Sequence, residues 1–272
     1  MSHFFQVECD MLPGLAEAGE AGDASHARAP PRPVRVVVFP YLSEQRSSGD
    51  KSPRRATGEP LHHRLRTAFK ATFGPTVALD ICSTDDAANN ASDFDDFLTY
   101  AWPRLKKVNV LVTHRNFLAN EILARAQLSP QSFIPNAAVV HLVVTEQPSC
   151  IVKEIYFVRH CASHNNVAHV GSIRLTTCAS VTALRRLAPE LARRAGNEVL
   201  YGSSALPRAV LSAIALQRDV DAATLEAVRR AFEQPAAPAE AISAYVGANV
   251  CRGASGDEQD YCRGKQGTFR LS

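Results

Sequence analysis

K-E-I-Y-F-V-R-H-C-A-S-H-N-N, Lys153 to Asn166, is the stretch whose reading decides the fold. Its apolar run, Ile155 to Val158, has the length and composition of a strand buried on both faces. Arg159 and His160 follow at once, a charged pair at the carboxyl end of a buried strand, where open α/β sheets hold their ligands. An isolated Arg-His pair is weak evidence and reads first as a solvated strand end, so its meaning depends on the rest of the chain.

Two further segments have the same form. V-L-Y-G-S-S-A-L-P-R-A-V-L-S-A, Val199 to Ala213, is a short strand running into a helix that Pro207 can open. V-N-V-L-V-T-H-R-N-F-L, Val108 to Leu118, is a strand topped by His114. Together with the first stretch they resemble the histidine phosphatase superfamily in its phosphoglycerate-mutase-like branch. That family opens with a strand ending in Arg-His-Gly and an Asn six residues after the His, matched here by Arg159, His160 and Asn166. A Leu-Thr follows, as Leu175-Thr176, and then Ser-Pro-Leu-x-Arg-Ala, matched by Ser204 to Ala209 with Arg208 as its arginine. A later strand leads to Leu-x-Glu, matched by Leu42-Ser43-Glu44 after Val34 to Phe39, and a last one ends in Val-Thr-His-Gly, matched by Val112-Thr113-His114. The Glu44 and His114 segments precede Arg159, whereas the family places them after the arginine segment. Moving residues 1–150 behind the C-terminus restores the family order, so the chain reads as circularly permuted.

The resemblance implies a three-layer α/β/α sandwich with a mostly parallel central sheet. It also implies a phosphomonoester hydrolase working through a phosphohistidine, without metal or cofactor, on a small phosphorylated metabolite or a phosphoprotein. His160 is then the nucleophile, which must be neutral to attack, a state that flanking cations favour. Arg159 and Arg208 grip phosphoryl oxygens through planar forks. His114 donates to the transferring group, and Glu44 protonates the leaving oxygen and later activates water. Asn166, Ser163 and Arg115 are candidate substrate-binding residues.

Three positions depart from the family pattern: Cys161 and Arg115 stand where it has Gly, and Ala205 where it has Pro. Cys161 is expected to point into the core, and Arg115 either to point away or to add charge to the pocket. A phosphoglycerate-mutase-type phosphotransferase needs the same residues plus a closed pocket, for which the Val167 to Arg174 loop looks short. The alternative from another class is a phospho-ligand binding module with weak or no catalysis, which Cys161 and Arg115 favour.

Composition bounds these readings. The 272 residues are 46% hydrophobic and 21% charged, ordinary for a soluble globular chain. A net charge of +3 is too small to argue for nucleic acid. No apolar run has the length of a membrane span, and the first 32 residues lack a signal-peptide core. Seven cysteines without paired spacing read as free thiols in a reducing compartment, hence a cytoplasmic protein. Oligomeric state is not legible.

Residues 1–33, rich in small residues and Pro, predict a disordered arm, 34–233 the permuted domain, and 234–272 a mostly disordered, low-complexity tail. The basic loop Gln45 to Pro60 is a solvated loop or a lid over an anionic substrate. Helices are expected at Leu61 to Phe73, along the stripe Phe94, Phe97, Leu98, Ala101, Trp102 and Leu105, at Asn116 to Ala126, at Val181 to Arg194, from Pro207 to about Gln217, and at Ala222 to Phe232. A strand is expected at Ala137 to Val144, then a short polar connection, Glu146 to Cys150, into Ile155. His62 and His63 read as surface residues, and Cys251 and Cys262 as too isolated for zinc.

Overall fold

Val108–Thr113 (β4) is buried at all six positions and lies inside an eight-stranded sheet. The computed structural model describes residues 4–11, 33–42, 61–82, 94–127, 134–163, 181, 184–185, 188–195, 198–232 and 266–271. Its strands are Phe4–Met11 (β1), Val34–Val38 (β2), Val77–Ile81 (β3), β4, Val139–Gln147 (β5), Ile151–Arg159 (β6), Val199–Ser203 (β7) and Gln266–Leu271 (β8). They stand in the order β3-β2-β7-β4-β6-β5-β1-β8. The first five run parallel, and β5, β1 and β8 continue the sheet in antiparallel pairings. The protein is therefore an α/β protein with a mixed, mostly parallel sheet. The β-branched runs V-R-V-V-V and V-N-V-L-V-T suit strands covered on both faces. Asn109, the polar residue inside β4, bonds the Lys106 amide and the Lys106 and Glu154 carbonyls, so its burial leaves neither amide group without a partner.

Alternate residues of each strand point to opposite faces, and each face carries its own core. On one, Val36, Val38, Val110, Val112 and Val158 meet Leu61–Phe73 (α1), Pro207–Ala215 and Ala222–Ala231. On the other, Leu111, Ile155 and Phe157 meet Phe94–Ala101 (α2) and the π-wound helix Phe117–Leu123 (α3). Counting Ala188–Ala195 as α4, the helices Pro207–Ala215 and Ala222–Ala231 are α5 and α6. Phe157 lies edge-on to Phe94 and Phe97, with ring centroids 6.0 Å apart in both pairs. Every residue of the expected stripe from Phe94 to Leu105 is buried. The helix ends at Ala101, before Pro103. Lys153 closes that end, donating to the Trp102 and Leu105 carbonyls at 2.5 and 2.7 Å while its ammonium lies over the Trp102 ring. Burial lowers the Lys153 pKa, with Glu146 pulling the other way.

Three expectations are corrected. The disordered arm fails for Phe4–Met11, which pairs with β5 and buries Phe5, Val7 and Cys9 on one side while Glu8 stays exposed. Phe5 packs on Trp102 with ring centroids 4.8 Å apart. The disordered tail fails for Gln266–Leu271, which pairs with β1. The connection into Ile155 is a hairpin turn at Pro148 to Cys150, because β5 runs on to Gln147 and β6 starts at Ile151. Cys150 takes a left-handed conformation there (φ 55°), as three-residue hairpin loops require. The rest of the arm and tail, the basic loop 45–60 and much of the helix expected at 181–194 lie outside the described residues.

Candidate active site

Three neighbouring parallel strands, β6, β4 and β7, end at the same level. Backbone bonds fix that level: the His160 amide donates to the Thr113 carbonyl and the Ser204 amide to the Val112 carbonyl, each at 3.0 Å. Gly202, in β7, has no room for a side chain; a Cβ there would lie 2.6 Å from Leu111 and 2.9 Å from Phe39. His160, His114 and Ser204 thus emerge side by side, and Arg208 enters from the first turn of α5.

The side chains meet. Arg208 Nε donates to His160 Nε2 at 3.0 Å, and its Nη2 lies 3.2 Å from His114 Nδ1. The two imidazole centroids are 5.1 Å apart. His114 is 0%, Arg208 2% and His160 3% exposed, so the guanidinium bridges two imidazoles largely away from water. A guanidinium has donors only, so both facing ring nitrogens accept, and each ring carries its proton on the other nitrogen. His160 Nδ1 accordingly donates to the Cys161 carbonyl at 2.6 Å, leaving Nε2 as the atom with a lone pair. His114 Nε2 donates to Ser204 Oγ, also at 2.6 Å.

The peptide after His160 is held from both sides. Asn136 Nδ2 donates to the His160 carbonyl at 2.8 Å, and the Cys161 amide donates to Ser212 Oγ at 3.0 Å. Ser212 in turn donates to the Arg208 carbonyl at 2.7 Å, which ties the His160 loop to the helix carrying Arg208. Cys161 is buried and belongs to the core cluster, where the sequence reading expected it to point.

The structure therefore brings together His160, His114 and Arg208 of the residues singled out in the sequence. Arg159 is buried at the end of β6, and its Nη1 donates to the Ile134 carbonyl. Ser163 is buried and Arg115 is exposed. Glu44, Asn166, Leu175, Thr176 and the Val167 to Arg174 loop lie outside the described residues. Sequence reasoning missed Ser204, Asn136 and Ser212. Ser204 stood inside a quoted motif, but Asn136 and Ser212 carried no signal in spacing or composition.

Among the described residues no group of three or more His, Cys, Asp or Glu side chains could hold a metal ion, and no helix is long and apolar enough to cross a membrane. No family model, no curated protein and no solved structure matches the chain.

Proposed function

We propose that this protein is a phosphomonoester hydrolase of circularly permuted, phosphoglycerate-mutase-like histidine phosphatase architecture, acting on a small phosphorylated metabolite or a phosphoprotein. The observation that carries the reading is the buried His160–Arg208–His114 bridge. It combines a neutral imidazole, proton on Nδ1 and lone pair on Nε2, with a cation at that lone pair. In the first step Nε2 attacks phosphorus, the P–O ester bond breaks, and Glu44 gives its proton to the departing oxygen. In the second, water attacks the phosphohistidine, Glu44 takes its proton, the P–N bond breaks, and inorganic phosphate leaves. Arg208, already fixed between the rings, holds charge where the transferring oxygens develop it, the preorganised electrostatics on which phosphoryl transfer relies. Arg159 is the second cation in this scheme, and His114 a donor to the same oxygens.

One observation favours a phospho-ligand binding module instead. The Arg208 Nε–H occupies the Nε2 lone pair of His160, so attack requires the guanidinium to exchange that acceptor for a phosphoryl oxygen. Brief reaction with a radiolabelled aryl phosphate separates the two. Hydrolysis proceeds with an acid-labile, base-stable phosphoryl group on His160 that His160→Ala abolishes. Binding without label supports the module, and label on a cysteine shows the nucleophile to be misassigned.

A further inference from the structure

We infer that Ser204 is a positioning residue, whose hydroxyl fixes His114 in the tautomer that turns Nδ1 to Arg208. The bonds of the bridge run outward from one cation. Arg208 donates to both imidazoles, and each imidazole passes its own proton on, His160 to the Cys161 carbonyl and His114 to Ser204 Oγ, both at 2.6 Å. Ser204 is to His114 what a backbone carbonyl is to His160. The carbonyl stays whatever the side chain, but the hydroxyl can be removed by one substitution. Ser204 is itself held in place, since its amide bonds the Val112 carbonyl and its Oγ accepts from the Leu206 amide at 3.4 Å. Ser204 and His114 are both fully buried, so no water replaces a lost acceptor without rearrangement. Without the hydroxyl the ring turns or moves its proton, and Arg208 loses the acceptor at His114 Nδ1. The tautomer stands on geometry alone; only its kinetic consequence rests on the proposed hydrolase.

The test uses the full chain labelled with ¹⁵N-histidine, His114 being assigned with His114→Gln. The wild type shows a pyridine-like Nδ1 and a pyrrole-like Nε2 on His114. Ser204→Ala changes that pattern and lowers kcat about 10- to 100-fold, the loss typical where a hydrogen-bond partner that orients a metal-bound histidine is removed, with KM within about threefold. Ser204→Thr, which keeps the hydroxyl, restores both. Ser204→Cys, of similar size but a weaker acceptor, lies between serine and alanine in both readouts. Ser203→Ala is the control. It removes a neighbouring buried hydroxyl that has no hydrogen-bond partner among the described residues, and it changes neither readout. A pyrrole-like Nδ1 in the wild type overturns the inference, as does a Ser204→Ala or Ser204→Cys variant that keeps wild-type tautomer and kcat. A wild type that hydrolyses no phosphomonoester removes the proposed function, while the spectra still decide the role of Ser204.

Discussion

Arg208→Lys is the sharpest perturbation of the site, because it keeps the charge and removes the fork. The guanidinium reaches His160 Nε2 at 3.0 Å and His114 Nδ1 at 3.2 Å with two nitrogens of one rigid plane. A lysine ammonium is a single point on a flexible stem and cannot hold both imidazoles in that plane. At least one charge-assisted bond is lost, about 1.5–3 kcal/mol in a buried setting. The kinetic loss is larger, since a preorganised donor contributes most when charge develops in the transition state. Removing such a donor costs about 10²- to 10³-fold in kcat, or about 2.7–4 kcal/mol. The expectation is a drop in kcat of about 100-fold or more on an aryl phosphate, in a variant whose circular dichroism spectrum matches the wild type. Arg208→Gln, which also removes the charge, falls further. A folded lysine variant within about threefold of wild-type kcat refutes the assignment of a transition-state role to the bridge.

Vanadate, which mimics the transferring phosphoryl group, inhibits, and strong chelators leave activity intact; loss with chelator and recovery with zinc or magnesium sinks the phosphohistidine route. Deleting residues 1–11 strips Phe5, Val7 and Cys9 from the core, about 5 kcal/mol at about 1.5–3 kcal/mol per large buried side chain, and lowers the melting temperature by about 10 °C or more. Deletion without a thermal shift means β1 contributes nothing to the fold. Lys153 has a lowered pKa, so the unfolded chain binds more protons than the native one between that value and the ordinary lysine value. Its contribution to stability therefore rises with pH across that window. Lys153→Met abolishes that rise in denaturant titrations, and an unchanged slope there removes the assignment. Joining Ser272 to Met1 and reopening the chain at Pro148 to Cys150 yields a folded protein with wild-type kcat.

The parts of the site legible in the sequence share one property: their signal is local. His160 and His114 each stand just past an apolar strand run, and Arg208 opens the helix that follows another, so position in the motif and position in the fold coincide. The Ser204 hydroxyl is used by a histidine 90 residues away, a pairing no local pattern encodes. Inside Ser-Ala-Leu-Pro-Arg a serine reads as turn chemistry. Arg159 donates to a backbone carbonyl, that of Ile134, which carries no residue signature at all. The missed strands have a related cause. Phe5, Val7 and Cys9 alternate with Gln6 and Glu8 at strand period, but the run is short and leads into a segment rich in Ala, Gly, Glu and Pro, so composition outweighed periodicity. Charged Lys153 and Glu154 interrupt the apolar run and hide Ile151 and Val152 as strand residues, yet the pairing with β5 extends through all four.

In a permuted chain the order of the connections matters less than the order of the strands. β2, which leads to Glu44, lies in the same sheet and the same chain as β6, with β7 and β4 between them, so no exchange with a second copy is needed to bring them together. The first and last strands among the described residues are neighbours: Phe5 faces Leu271 across β1 and β8. Joining Ser272 to Met1 would leave Ser272, Met1, Ser2 and His3 between the adjacent antiparallel strands, a length ordinary for hairpin loops. The turn at Pro148 to Cys150 is exposed, and exposed loop tips are where chains tolerate being opened. Closing one hairpin and opening another leaves β6, β4 and β7 with the same neighbours, and so leaves the amide bonds from His160 to Thr113 and from Ser204 to Val112 in place. A reopened chain that failed to fold would mean that the β5–β6 turn is needed to nucleate the sheet. The resemblance in cyclic order would then have to be explained without a permuted architecture.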